Sequence, residues 1–186
     1  MKFQVERTVT IDGPKSKVRT FVEDFRHWNR WSPWTVLEPT CAVEVTGSAN
    51  TPNHSMYWDG KLIGSGRNTL RSTDGKSLQY QLEFLKPWKS KAESRFYFDE
   101  SNGQTKVTWT LNSSMPFFLF FMIPTMRNLI GMDYDRGLRM LKEVVEHGNI
   151  ACKTTSAGIT DHTGFSYLGI QRTVAFADMR GCPQVS

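Results

Sequence analysis

Between Cys41 and Ser114 the chain reads as short alternating runs separated by turn residues, and no other feature narrows the fold so far. Apolar and polar residues alternate around Leu78/Tyr80/Leu82/Phe84 and again around Val107/Trp109/Leu111. That is the two-residue period of a strand with one buried face. Six strands are predicted: Cys41–Thr46, His54–Asp59, Gly66–Ser72, Ser77–Leu85, Lys91–Asp99 and Thr105–Asn112. Asp74-Gly75 and Asn102-Gly103 are strong hairpin turns. Consecutive hairpins make an antiparallel meander, and its apolar face must be covered by something else in the chain.

Two helical regions are available as cover. Before the meander, Phe3, Val5, Val9 and Ile11 alternate as an opening strand, with Arg7 in the apolar phase. Asp12-Gly13-Pro14 then starts a helix whose Val18, Phe21, Val22 and Phe25 share one face. Trp28 and Trp31 continue on a second short helix, predicted to end at Pro33, with Trp34 just beyond. After the meander, helical periodicity returns near Thr125 and stops at Gly148. Ile130, Tyr134, Leu138, Leu141 and Val145 form its apolar side; Leu129, Met132 or Asp133, Arg136 and Met140 share the other. Gly131 and Gly137 each cost this helix about 1 kcal/mol relative to alanine, so a close approach to the sheet is expected there. The fold class is α+β: a curved antiparallel sheet around a long C-terminal helix, with two short helices after the first strand. One helix covers only part of such a sheet. The short helices close the rest, or a cavity remains, and apolar cavities are where small ligands bind.

Several motifs occur in collinear order: VxRTVxIDGP at Val5–Pro14, VxDFxxWxxWSPW at Val22–Trp34, WDG…GSG at Trp58–Gly66, LxFxxPW at Leu82–Trp88, TxVTW at Thr105–Trp109, and MDYDRGLxxLKxxVE at Met132–Glu146. Together they resemble the START-like (SRPBCC, helix-grip) superfamily and, within it, the polyketide cyclase/dehydrase group. The resemblance covers residues 1–149 and implies a ligand-binding domain. The remainder, residues 150–186, contains Gly158–Met179, which resembles the opening of a GyrI-like effector-binding domain. That unit looks incomplete; a strand without partners cannot bury its face, so the tail is expected to be poorly ordered or to pair with a neighbour.

The aromatic set Trp31, Trp34, Trp58, Tyr80, Phe84, Trp109 and Phe117, joined by Met56 and Tyr134, is expected to line the cavity. Taken singly, each is better explained as core; taken together, the architecture favours a lining. Arg67 and His54 are candidate polar groups to orient a ligand. Tyr80, Arg67, Asp59 and His54 are the groups a cyclase-like chemistry would draw on, yet each has a satisfactory structural role and no catalytic residue is assigned. The histidines show no metal-ligand spacing, and no Gly-rich phosphate loop or nucleophile elbow is present. No metal and no cofactor is expected.

Three cysteines in no ligand pattern read as free thiols in a reducing compartment. The formal charge of +5 is scattered rather than striped, which speaks against a nucleic-acid partner. The run Met115–Met126 is too short and too interrupted by proline to span a bilayer. Its Phe117–Ile123 portion reads equally as an apolar lid or as the first turn of the last helix, and membrane contact is not expected. A homodimer is left open, and the expected location is the cytoplasm. The function expected is non-enzymatic binding of a small hydrophobic ligand, lipid-like or polycyclic. The alternatives are a polyketide cyclase/aromatase-like enzyme and a ligand-sensing regulator with a truncated effector-binding domain.

Overall fold

The computed structural model describes residues Met1–Ala151. The expectations for the GyrI-like segment and for the order of the tail lie outside the described residues. Seven strands form one sheet: β1 Lys2–Asp12, β2 Ala42–Thr46, β3 Ser55–Asp59, β4 Ser65–Thr73, β5 Ser77–Lys86, β6 Ser90–Ser101 and β7 Gln104–Ser114. Their spatial order is β1-β7-β6-β5-β4-β3-β2, every pair antiparallel. β1 closes on β7 because the opening strand matches the last one along its full length, Lys2 opposite Ser114 and Asp12 opposite Gln104. Asn102 and Gly103 take φ of 53° and 76°, the left-handed pair that a two-residue hairpin turn requires. Register shifts between Ser65/Gly66 and Leu70/Ser72 interrupt the β4–β5 ladder, and such irregularities bend a sheet.

The inner face is covered from two sides. Helix α3, Ile123–His147, lies chiefly along β1. Helix α1, Lys15–Glu23, a 3-10 segment at Phe25–Arg30 and helix α2, Pro33–Leu37, close the remainder. Pro33 begins α2 rather than ending the helix before it. A proline at the first helical position has no N–H that the helix would need, and its φ is already helical. Met140 is buried together with Leu138 and Leu141, so the buried stripe of α3 is wider than its periodicity implied. The two helix glycines have different reasons. A Cβ on Gly137 would stand 2.9 Å from the Trp109 ring and 3.1 Å from Pro33, whereas one on Gly131 would meet only the Arg7 guanidinium.

One carboxylate ties the short helices to the sheet. Glu38, at the end of α2, accepts the backbone N–H groups of Lys61, Leu62 and Ile63 at 2.8, 2.9 and 3.1 Å. Gly60 is required beside it, since a Cβ there would meet Glu38 Oε2 at 2.4 Å. Desolvation pushes the Glu38 pKa up, but the three backbone hydrogen bonds outweigh it and hold the carboxyl below its ordinary range. A carboxyl lowered in this way contributes stability above its unfolded pKa of about 4.3 and loses it as pH falls through the folded value. Glu38→Gln is therefore expected to lower the melting temperature at neutral pH. The gap from the parent protein should shrink as pH falls below about 4. Thermal melts across that range check this, and a gap independent of pH would refute it.

Candidate ligand-binding site

The tryptophan-rich segment after α1 acts first as a cap. The last four carbonyls of a helix have no partner within it. Here Trp31 Nε1 donates to the Phe21 carbonyl at 2.9 Å, while Trp28 Nε1 and Tyr80 Oη donate to the Val22 carbonyl at 2.9 and 2.8 Å. Tyr80 thus anchors the end of α1 to β5, and the two tryptophans tie it to the 3-10 segment that follows. Their rings continue into one aromatic cluster. Trp28 and Trp31 have centroids 4.9 Å apart, Trp31 and Trp109 5.8 Å, and Trp109 stacks on Tyr134 at 3.7 Å. Trp31, Tyr80, Trp109 and Tyr134 are all buried in this cluster.

A second group lies on the same inner face, towards the end of the sheet where β1 starts and β7 finishes. Met56 on β3, Asn68 on β4 and Leu82 on β5 stand opposite one another across the strands. One step further along are Trp58, Gly66 and Phe84, also in register. A Cβ on Gly66 would come within 2.4 Å of the Trp58 indole. The indole therefore lies across the β4 backbone, edge-to-face with Phe84 at 6.1 Å. Trp34 belongs to the first cluster, with centroids 5.9 Å from Trp109 and 6.3 Å from Tyr134.

Polar atoms on this face are few. Trp109 Nε1 donates to Ser94 Oγ at 2.8 Å, and Ser94 Oγ lies 3.5 Å from Tyr134 Oη. Burial raises the Tyr134 pKa well above that of a free phenol, so it is a neutral hydroxyl. Asp133 is half-buried; desolvation raises its pKa, partly offset by a hydrogen bond from Trp34. Asn68 stands apart. It is 3% exposed, and its Oδ1 is the one buried side-chain polar atom among the described residues without a hydrogen-bond partner. Leaving such a carbonyl unpaired costs about 1–3 kcal/mol. Asn68 is not among the candidates read from the sequence. Its signal was there: it occupies the inward phase of β4, between Gly66 and Leu70, where an apolar residue is expected.

The other sequence candidates fall elsewhere. Arg67 is on the opposite face of the sheet, in register with Tyr57 and Glu83, where it helps line an open polar hollow of about 510 Å3. His54 is fully enclosed and stacks on Phe25 at 4.9 Å. The Phe25 N–H donates to its Nε2 at 3.1 Å, which assigns the ring proton to Nδ1, 3.0 Å from the Thr46 carbonyl. Both ring nitrogens are thereby committed to the backbone. Asp59 pairs with Lys86 at 3.4 Å on the surface. Phe117 is 75% exposed in a short 3-10 segment, Phe117–Met122, between β7 and α3.

A curved antiparallel sheet gripped by a long C-terminal helix and closed by short helices after its first strand defines a helix-grip protein. Residues 2–146 match the family described as polyketide cyclase/dehydrase and lipid transport, and the chain belongs to that family. At family level this means handling small hydrophobic molecules, by binding or by cyclase-type chemistry. No curated protein matches the chain. Among solved structures it is similar to DynU16, a protein of the dynemicin biosynthetic locus, with 15% identity and a TM-score of 0.54. That match covers 79% of this chain and 48% of DynU16, so this chain spans about half the length of that protein. A protein from Thermobifida fusca is 20% identical, with 76% and 92% of the two chains covered and a TM-score of 0.59. Aha1 from Colwellia psychrerythraea, solved as a dimer, is 17% identical over 78% and 98%, with a TM-score of 0.58. At these identities the likeness is one of fold.

Proposed function

We propose that this protein binds a small apolar molecule, lipid-like or polycyclic, against the inner face of β3–β5, without transforming it. The observation that carries this reading is the unpartnered Oδ1 of Asn68, buried among Met56, Leu82 and their neighbours Trp58 and Phe84. A ligand that brings one hydroxyl or N–H donor on an otherwise apolar body would pair this acceptor. Burying that body supplies about 25 cal/mol for each Å2 of apolar surface removed from water, and the hydrogen bond fixes its orientation. Membership of a family described by polyketide chemistry and lipid transport supports the same ligand class.

Anilinonaphthalene sulfonate, an aromatic body with one N–H donor, is a suitable probe. Asn68→Leu should weaken its binding by about tenfold, the worth of one buried hydrogen bond. The same substitution should leave the melting temperature unchanged or raised, because it removes an unpaired polar atom. Equal affinity in both proteins would remove Asn68 from the site. Native mass spectrometry with extracted metabolites provides an independent check. If no ligand copurifies, and a lipid and polyketide panel gives no thermal shift, the binding reading is overturned. A second reading, cyclase-type chemistry, is favoured by the raised pKa of Asp133 beside Trp34. Turnover of a polyketide-like substrate that is lost in Asp133→Asn would establish it instead.

A further inference from the structure

The register of the sheet brings three separate turns to one rim. The start of β1, the β3–β4 turn, the β5–β6 turn and the exit from β7 all lie there, since Lys2 stands opposite Ser114, Ala92 opposite Ser113, and Ser65 opposite Lys86. Each turn carries exposed apolar side chains: Leu62 on the first, Trp88 (72% exposed) on the second, and Phe117, Phe118, Phe120 and Phe121 on the third. Among the described residues, the exposed large hydrophobic side chains belong to this rim, to the edge strand beside it or to the first turns of α3; the exception is Tyr97. Folding has therefore gathered apolar surface at one end, and gathered apolar surface marks contact.

The charge on the rim selects the partner. Residues 115–132 contain a single charged side chain, Arg127, and no acid. Lys86 and Lys91 are balanced by Asp59 and Glu83, while the Glu38 carboxylate is taken up by backbone N–H groups. Lys2 and Lys89 are exposed on the same rim, and so are Lys61 and Arg127. Aromatic tips ringed by lysine and arginine match the acyl–headgroup boundary of an anionic bilayer. They suit a second copy of the chain poorly, because a symmetric contact would bring like charges together.

We infer that this rim docks the protein on an anionic phospholipid surface. The Phe117–Phe121 segment and Trp88 enter the interface, and the lysines pair with headgroups. No described helix is long and apolar enough to cross a membrane, so this is contact with one leaflet. The inference stands apart from ligand binding on the inner face and does not depend on it.

Cosedimentation with vesicles tests it, comparing phosphatidylcholine alone with a mixture containing roughly one third phosphatidylserine. Binding is expected to the mixture, weaker to the neutral lipid, and to fall as salt is raised. Phe118→Ser with Phe121→Ser should reduce it at least about tenfold. Lys2→Gln and Lys89→Gln should each cost about fivefold, on the anionic vesicles only. Lys76→Gln with Lys106→Gln, at the opposite rim, should change nothing. All these positions are exposed, and circular dichroism verifies that the variants stay folded. Failure to sediment with either vesicle, or binding indifferent to the phenylalanine changes, would overturn the inference. So would a dimer in sedimentation velocity that the same phenylalanine variants dissolve, which would give the rim to a second copy.

Discussion

Trp31→Ala is expected to destabilise the protein by about 3–5 kcal/mol, the range for removing a fully enclosed large aromatic. Two losses combine. The indole leaves a cavity among Trp28, Phe96 and Trp109, and the Phe21 carbonyl at the end of α1 loses its donor. Equilibrium urea unfolding measures the effect, and a loss below about 1 kcal/mol would contradict the enclosed position. Replacement by Phe separates the two parts, because it restores much of the volume but not the N–H. That variant is expected to recover most of the lost stability while remaining about 1–2 kcal/mol below the parent protein.

The second large effect divides two glycines that look alike in sequence. Gly137→Ala places a methyl against the Trp109 ring and Pro33, neither of which has room to turn away. Overpacking of that kind costs about 1–3 kcal/mol, more than the ~1 kcal/mol of helix propensity that alanine returns. A net loss is expected in urea unfolding. Gly131→Ala meets only the Arg7 guanidinium, the end of a flexible side chain whose pairing with Asp135 is on the surface. An exposed pair of this sort contributes about 0–1 kcal/mol, so this variant should be neutral or slightly more stable. Equal effects at the two positions would mean that α3 does not approach the sheet as described.

Most of the scaffold was legible because strands and helices announce themselves by period. The meander strands agree with their predicted bounds to within two residues, and the Asn102-Gly103 turn carries its own left-handed signature. Pro33 was read as a stop because proline ends helices, yet it also starts them, and one residue cannot tell which. Of the aromatic set, Phe117 lies exposed outside the sheet, and the division of the others between two groups was not legible. Trp31 and Tyr80 have N–H and O–H groups that reach carbonyls of α1, a relation between distant residues that no local pattern encodes. Arg67 was assigned by chemistry alone, whereas its place on the outer face follows from register with Tyr57 and Glu83. Asn68 was overlooked although its inward phase on β4 was readable, since only the tertiary structure shows that its Oδ1 is buried without a partner.

By itself the sequence determined the order of elements, the faces they bury and the family those motifs resemble, because periodicity and turn chemistry act over a few residues at a time. Tertiary structure alone decided which aromatics cap a helix, which polar atom is left unpaired on the inner face, and which turns share a rim. Those are consequences of strand register and of one helix crossing a curved sheet. They set Asn68 opposite Met56 and Leu82, and they bring the turn that carries Trp88 to the same rim as the exit from β7 that carries Phe118.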